Sequence, residues 1–194
     1  MPSPSSLPSP ENPDPRLEEG PSRTVERLLL AAAAVIKRDG ACSLTLEAVA
    51  AEAGVSKGGL LYHFPTKDAL LEALVDWWHD DFQRRLDATQ GDNNAAAYLH
   101  AMDRHSTAPD WRRTLEHGPM AVMAGAPGQA ARVRGRYEAW QDWLTEDAAD
   151  PVAATIVRLA ADGLWFATLY DFAPLDGELR GAVLKRLAEI AAGT

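Results

Sequence analysis

From residue 22 onward the apolar residues recur at three- and four-residue spacing, and no stretch of useful length alternates with period two. A chain patterned this way must bury helix faces against helix faces, so the expected fold class is all-α. In 22–38, Val25, Leu28, Leu29, Ala32, Val35 and Ile36 make one helix face; Ser22 can cap its start, and Gly40 follows Lys37 and Arg38 as a stop. A shorter helix is predicted over 45–53, with Thr45 as N-cap, Glu47 suited to the first turn and Gly54 ending it in the left-handed conformation. Ser56 caps a third helix running to about Tyr62, and Pro65 and Thr66 break and restart the chain. The fourth helix, about Lys67 to Asp87, is long and amphipathic, with Leu70, Leu71, Leu74, Trp77, Trp78 and Phe82 at its apolar positions. Further helices are expected near 94–105, 109–116, 128–147, 151–170 and 177–192, punctuated by Pro109, Pro119, Pro127, Pro151 and Pro174.

At 194 residues the chain can bury a substantial core in one medium domain or two small ones. Its single cysteine, Cys42, excludes an intrachain disulfide and a cysteine-based metal site, and a reduced compartment is the default. Six prolines in the first fifteen residues, MPSPSSLPSPENPDP, predict a disordered or extended arm over 1–20 that lacks the pattern of a signal peptide. No apolar run reads as long enough to span a bilayer, so the expected location is cytoplasmic. The net charge of −9 argues against nucleic acid when taken alone. It is unevenly spread: residues 21–68 carry six bases and five acids, whereas 69–194 carry twelve bases and nineteen acids. A near-neutral N-terminal module therefore precedes an acidic body.

Two short helices joined by a glycine-containing turn are a helix-turn-helix signature. Ala50 is small where the two helices must cross, Gly54 supplies the turn, and Val49, Val55 and Leu60 fix the crossing. Lys57 and Leu61 are four residues apart and share one face, opposite the Leu60/Phe64 core face. In a helix-turn-helix that outward face enters the major groove. Lys57 has the chemistry to donate to a guanine, and Leu61 to pack on a thymine methyl. Tyr62, His63 and Lys67 carry donors suited to phosphates, and Thr45 and Ser56 stand at helix starts whose amides also suit phosphate. Gly58 and Gly59 each cost about 1 kcal/mol against alanine inside a helix. On the leading end of the reading helix, their missing side chains would let the backbone approach DNA closely. These residues assign 21–66 to a helix-turn-helix DNA-binding domain and 67–194 to a larger C-terminal helical domain.

The run LTLEAVAAEAGVSKGGLLYHFPTKDALLEAL (44–74) resembles the tetracycline-repressor (TetR) family of bacterial transcriptional regulators. The matching pieces are Leu44-Thr45-Leu46, Val49-Ala50, Ala53-Gly54-Val55-Ser56, Leu60, His63-Phe64 and Lys67 with Leu70. Arg23 and the apolar helix it opens also fit, which adds Arg23 to the DNA-contact candidates. The family pattern usually has Tyr at the position of Leu61; here the tyrosine stands one place later, as Tyr62. The resemblance implies a homodimer that binds a palindromic double-stranded operator and represses, with a small-molecule effector held in the C-terminal domain releasing the DNA. It also implies a four-helix dimer interface built from the last two helices. On the first of these, Ala153, Ala154, Val157, Ala160, Ala161 and Leu164 are positioned for a close seam.

The C-terminal body is rich in residues suited to an apolar pocket: Trp111, Met120, Met123, Tyr137, Trp140, Trp143, Trp165 and Phe166. Residue by residue, aromatics at helical spacing are more often core. His100 and Asp103 can share a face but His105 lies off it, so no metal site is expected. Arg132, Arg134 and Arg136 do not share one face and read as a solvated rim. No phosphate-cradling Gly-Lys-Ser/Thr loop, G-x-S-x-G or His-Glu-x-x-His occurs, so neither an enzyme nor a cofactor is expected. The alternative is a helical small-molecule-binding protein or enzyme whose N-terminal helices only pack. A helical protein-interaction adaptor is a third class.

Overall fold

The structure, a computed structural model, describes residues 23–89, 91–103, 113–116, 127–146 and 148–193. All the regular elements among them are helical. In chain order they are α1 (Arg23–Asp39), a 3-10 turn (Ala41–Ser43), α2 (Leu46–Glu52), α3 (Lys57–His63), α4 (Lys67–Asp87), α5 (Asn94–Asp103), α6 (Pro127–Glu146), α7 (Pro151–Tyr170) and α8 (Gly177–Ala192), with a helical piece at 113–116. The proline-rich arm, the Ser22 cap, His105 and the candidates Trp111, Met120 and Met123 lie outside the described residues.

The chain divides into two compact units, and the division falls within α4, after Leu74. In the first unit α1 buries Leu28, Leu29, Ala32, Val35 and Ile36 together with Val49 and Ala50 of α2 and Leu60 of α3. Arg38 at the end of α1 ties to Glu52 at the end of α2 at 2.7 Å, which fixes α2 along α1. Thr66 restarts the chain, its Oγ1 accepting from the Ala69 amide at 3.1 Å, and Leu70, Leu71 and Leu74 are buried in the first turns of α4.

In the second unit α7 packs on α5, α6 and α8. Asp150 caps α7 by accepting from the amides of Val152 and Ala153 at 2.9 and 3.0 Å, and Pro151 occupies the first helical position. Its inner side buries Ala154, Val157, Ala161, Trp165 and Leu169. A polar chain crosses the same packing. Tyr98 of α5 donates to Asp162 at 2.7 Å, Arg158 donates to Asp162 at 3.0 Å and to Gln141 of α6 at 2.6 Å, and Gln141 donates to Thr155 at 2.8 Å.

Two expectations about α7 need correction. Its length and apolar composition are sufficient to cross a membrane, whereas the expectation was that no apolar run is long enough to do so. Arg158 and Asp162 neutralise each other one turn apart, so they interrupt the run less than two isolated charges would. Second, the expected close seam is partly internal, because Ala154, Val157 and Ala161 face the core of their own unit. The outward stripe is Val152, Ile156, Leu159, Gly163 and Phe166, spaced four, three, four and three residues apart. The small-residue stripe runs alongside it, and sequence spacing alone does not say which of two adjacent stripes a neighbour covers.

Candidate nucleic-acid interface

The α2–α3 corner is built from local chemistry. The Thr45 hydroxyl accepts from the Ala48 amide at 3.1 Å and opens α2. The Val55 amide donates to Ala50 O at 3.0 Å and the Gly54 amide to Ala51 O at 3.2 Å, closing α2 with the paired bonds of a Schellman motif. That motif needs a left-handed residue, and Gly54 supplies it at φ 64°. The Ser56 hydroxyl then accepts from the Gly59 amide at 3.1 Å and starts α3. Leu60 and Phe64 are buried, which aims the rest of α3 at solvent.

Lys57, Gly58, Gly59, Leu61 and Tyr62 are all exposed. Tyr62 is 84% exposed, and its ring lies edge-on to His63 with centroids 5.0 Å apart. His63 is half-buried, and Arg23 is exposed at the start of α1. Lys67 is half-buried with Nζ 3.5 Å from Ala41 O, so this ammonium also spans from α4 to the 3-10 turn. A Cβ added at Gly58 would meet nothing within 4 Å, and one at Gly59 would meet only Ser56 Oγ at 3.3 Å. Packing within the chain therefore gives no reason for a glycine at 58.

One residue expected only to suit the first turn of α2, and not among the DNA-contact candidates, joins this surface. Glu47 Oε1, on the first turn of α2, is 2.6 Å from Lys57 Nζ. The Lys57 ammonium holds the Glu47 carboxyl below its ordinary value, chiefly through that hydrogen bond. The two residues are ten apart on different helices, outside the three- and four-residue spacings that reveal neighbours in a sequence.

Two family models match the chain: residues 28–74 fit "Bacterial regulatory proteins, tetR family", and residues 92–192 fit "Tetracyclin repressor-like, C-terminal domain". The chain belongs to the TetR family. Solved structures with the same fold include a transcriptional regulator from Rhodococcus sp. Rha1, 23% identical, with a TM-score of 0.65 over 87% of this chain and 94% of that one. A TetR-family member from Streptomyces coelicolor A3 is 25% identical, with a TM-score of 0.62 over 85% of this chain and 98% of that one. The multidrug binding protein EbrR, solved with malachite green, is 24% identical, with a TM-score of 0.62 over 86% of this chain and 98% of that one. The chain is thus a DNA-binding transcriptional regulator, with a helix-turn-helix at its N-terminal end and the family's ligand-binding domain behind it.

In that C-terminal domain the described aromatic candidates fall in different places. Trp140 is buried where Trp78, Phe82 and Tyr137 meet it with ring centroids 5.7, 4.6 and 5.3 Å away, and His79 stacks on it at 5.5 Å. Burial pushes the Tyr137 hydroxyl up from its ordinary value, with the Asp162 charge adding to the shift. Trp165 is buried and lines a cavity of 10 Å³ beside Leu99, Met102 and the Asp103–Arg180 ion pair, room for about one water. Trp143 is half-buried. Phe166 is exposed, in an aromatic group with Tyr170 and Phe172 at 4.8 and 5.8 Å. A larger cleft of 390 Å³ lies elsewhere in this unit, lined by Asn93, Asn94, Leu144, Ala153, Ile190 and neighbours, with none of the aromatic candidates. Of the arginine rim, Arg132 is clamped on both oxygens of Asp76 at 2.8 Å.

Proposed function

We propose that this TetR-family regulator is a repressor that binds a palindromic operator as a homodimer in the cytoplasm and is released by a small-molecule effector. The observation that carries the reading is the exposed side of α3. Lys57, Leu61 and Tyr62 face solvent, and Gly58 leaves the helix start open for a reason that packing within the chain does not supply. Lys57 and Leu61 serve as base readers; Tyr62, His63, Lys67, Thr45, Ser56 and Arg23 hold phosphates. Residues 21–66 act as the DNA-binding domain and 67–194 as the regulatory and dimerisation domain.

A second copy of the chain is the occupant of the outward α7 stripe. Val152, Ile156 and Leu159 are 68%, 48% and 56% exposed, and 28% of the most apolar window of α7 is buried within the chain. Four-three spacing is the pattern that seams helix to helix. Phe166, Phe172 and, on α8, Leu179 extend the exposed apolar surface. Two-fold pairing would repeat α3 at about one DNA turn, roughly 34–36 Å, and so call for a palindrome. EbrR was solved with malachite green, which supports an aromatic effector here, taken up by rearrangement of the stacked group around Trp140.

The test is a gel shift with DNA flanking the gene, paired with sedimentation analysis. The expected result is a dimer that gives a salt-sensitive shift on one palindrome, reversed by an effector. A dimer that shifts no flanking palindrome, or every duplex equally, would overturn the reading.

A further inference from the structure

Lys57 is the cation placed to meet base edges on α3, yet its ammonium is already held by a carboxylate at 2.6 Å from α2. An exposed pair of this kind contributes little to folding stability; the acid suits the first turn of α2, and it also stands on a surface that must approach phosphates. A lysine without such a partner has a flexible stem and rotatable donors, and beside a duplex the dense negative charge of the backbone draws it. Strapped to Glu47, the ammonium is held at the α2–α3 corner, and the pair carries no net charge. What remains is directional: donors on Lys57 and acceptor capacity on the Glu47 carboxylate. A guanine edge presents acceptors at N7 and O6, and a cytosine presents the N4 amino donor in the same groove. Phosphates offer acceptors only.

We propose that Glu47 is a specificity-determining residue: with Lys57 it forms a paired donor and acceptor that reads a G·C-containing step in the major groove and turns that corner of the protein away from phosphates. The inference rests on the DNA-binding reading above. Glu47 positions the ammonium for guanine and itself accepts from cytosine.

The experiment is selection from a randomised duplex library by the full chain and by Glu47→Gln, Glu47→Asp and Lys57→Ala. Anisotropy titrations then follow over a range of KCl, on the wild-type consensus and on one fixed unselected duplex. Glu47→Gln removes the charge without changing side-chain length, and Glu47→Asp keeps the charge but shortens the reach by one methylene. We expect all three variants to lose preference at the same G·C position, by about tenfold. Glu47→Gln alone should also bind the unselected duplex more tightly, with a salt slope steeper by about one, because Lys57 is released to a phosphate. A Glu47→Gln protein that enriches the wild-type consensus with an unchanged salt slope would overturn the proposal while leaving the DNA-binding reading intact. Loss of preference at different positions in Glu47→Gln and Lys57→Ala would also overturn it. A wild-type chain that enriches no sequence would remove both.

Discussion

Replacing Gly58 by alanine should make the protein more stable and a poorer DNA binder at once. Gly58 is the second residue of α3, its φ is not in the left-handed region, and a Cβ there meets no atom within 4 Å. The folded chain therefore accepts the methyl without strain, and the helix gains about 0.5–1 kcal/mol from the restricted unfolded backbone. For a chain of this size that corresponds to a melting temperature higher by about 1–4 °C. Gly59→Ala is the internal control. Its Cβ would stand 3.3 Å from Ser56 Oγ, the oxygen that caps the helix, so the gain there should be smaller. On the proposed docking of α3, the methyl at 58 sits on the helix end that comes closest to the duplex. Loss of a close backbone approach should weaken specific binding by about tenfold or more, which is about 1.4 kcal/mol. Urea midpoints and anisotropy on a selected duplex measure the two sides. A Gly58→Ala protein with a higher urea midpoint and undiminished affinity would refute the argument that the glycine serves the DNA surface. A lower midpoint would refute the claim that the folded chain has no use for it.

Three further outcomes are expected. Ile156→Asp, which places a charge in the middle of the exposed α7 stripe, should convert the proposed dimer to monomers in sedimentation experiments while leaving helix content unchanged; a variant that still sediments as a dimer would contradict the assignment of the stripe. Lys67→Ala should weaken binding to all sequences alike and lower the salt slope by about one; a change in sequence preference would contradict its assignment to phosphate. Burial raises the Asp162 carboxyl above its ordinary value, against the opposing pull of Tyr98 and Arg158. A raised folded value means that protonation favours the fold, a contribution fully present below the unfolded value of about 3.9 and lost as pH rises through the folded one. The stability of the wild type relative to Asp162→Asn should therefore fall as pH rises above about 4 in urea titrations, and a flat or rising difference would contradict the sign.

The helices were legible because their ends are written locally. Thr45, Ser56, Thr66 and Asp150 cap with their own side chains, Gly54 turns left-handed, and Pro127 and Pro151 stand at helix starts. The division between Leu60, which is buried, and Leu61, which is exposed, followed from helical period alone. What was not legible depends on which neighbour a face meets. Glu47 and Lys57 meet only because the Gly54 corner brings two helix starts together. The aromatics of α6 and α7 share a helical period with both core and pocket, and only the packing separates buried Trp140 from exposed Phe166. On α7 an alanine stripe, partly turned to the core of its own unit, and a larger exposed apolar stripe lie side by side, and helical period does not distinguish them.

The hydrogen-bonded chain from Tyr98 through Asp162, Arg158 and Gln141 to Thr155 bears on how such a regulator can respond. It joins three helices, and most of its links use a charged group in a largely buried setting. A displacement of α7 by about an ångström would stretch its links to Tyr98 and Gln141 beyond their working range, while the Arg158–Asp162 pair, both on α7, would move with the helix. Intermediate positions are therefore poor ones, and α7 is restricted to registers in which the whole chain of partners is satisfied. Continuous sliding of this helix would strain its partners at every intermediate position, so we expect the response to an effector to be a step between discrete arrangements.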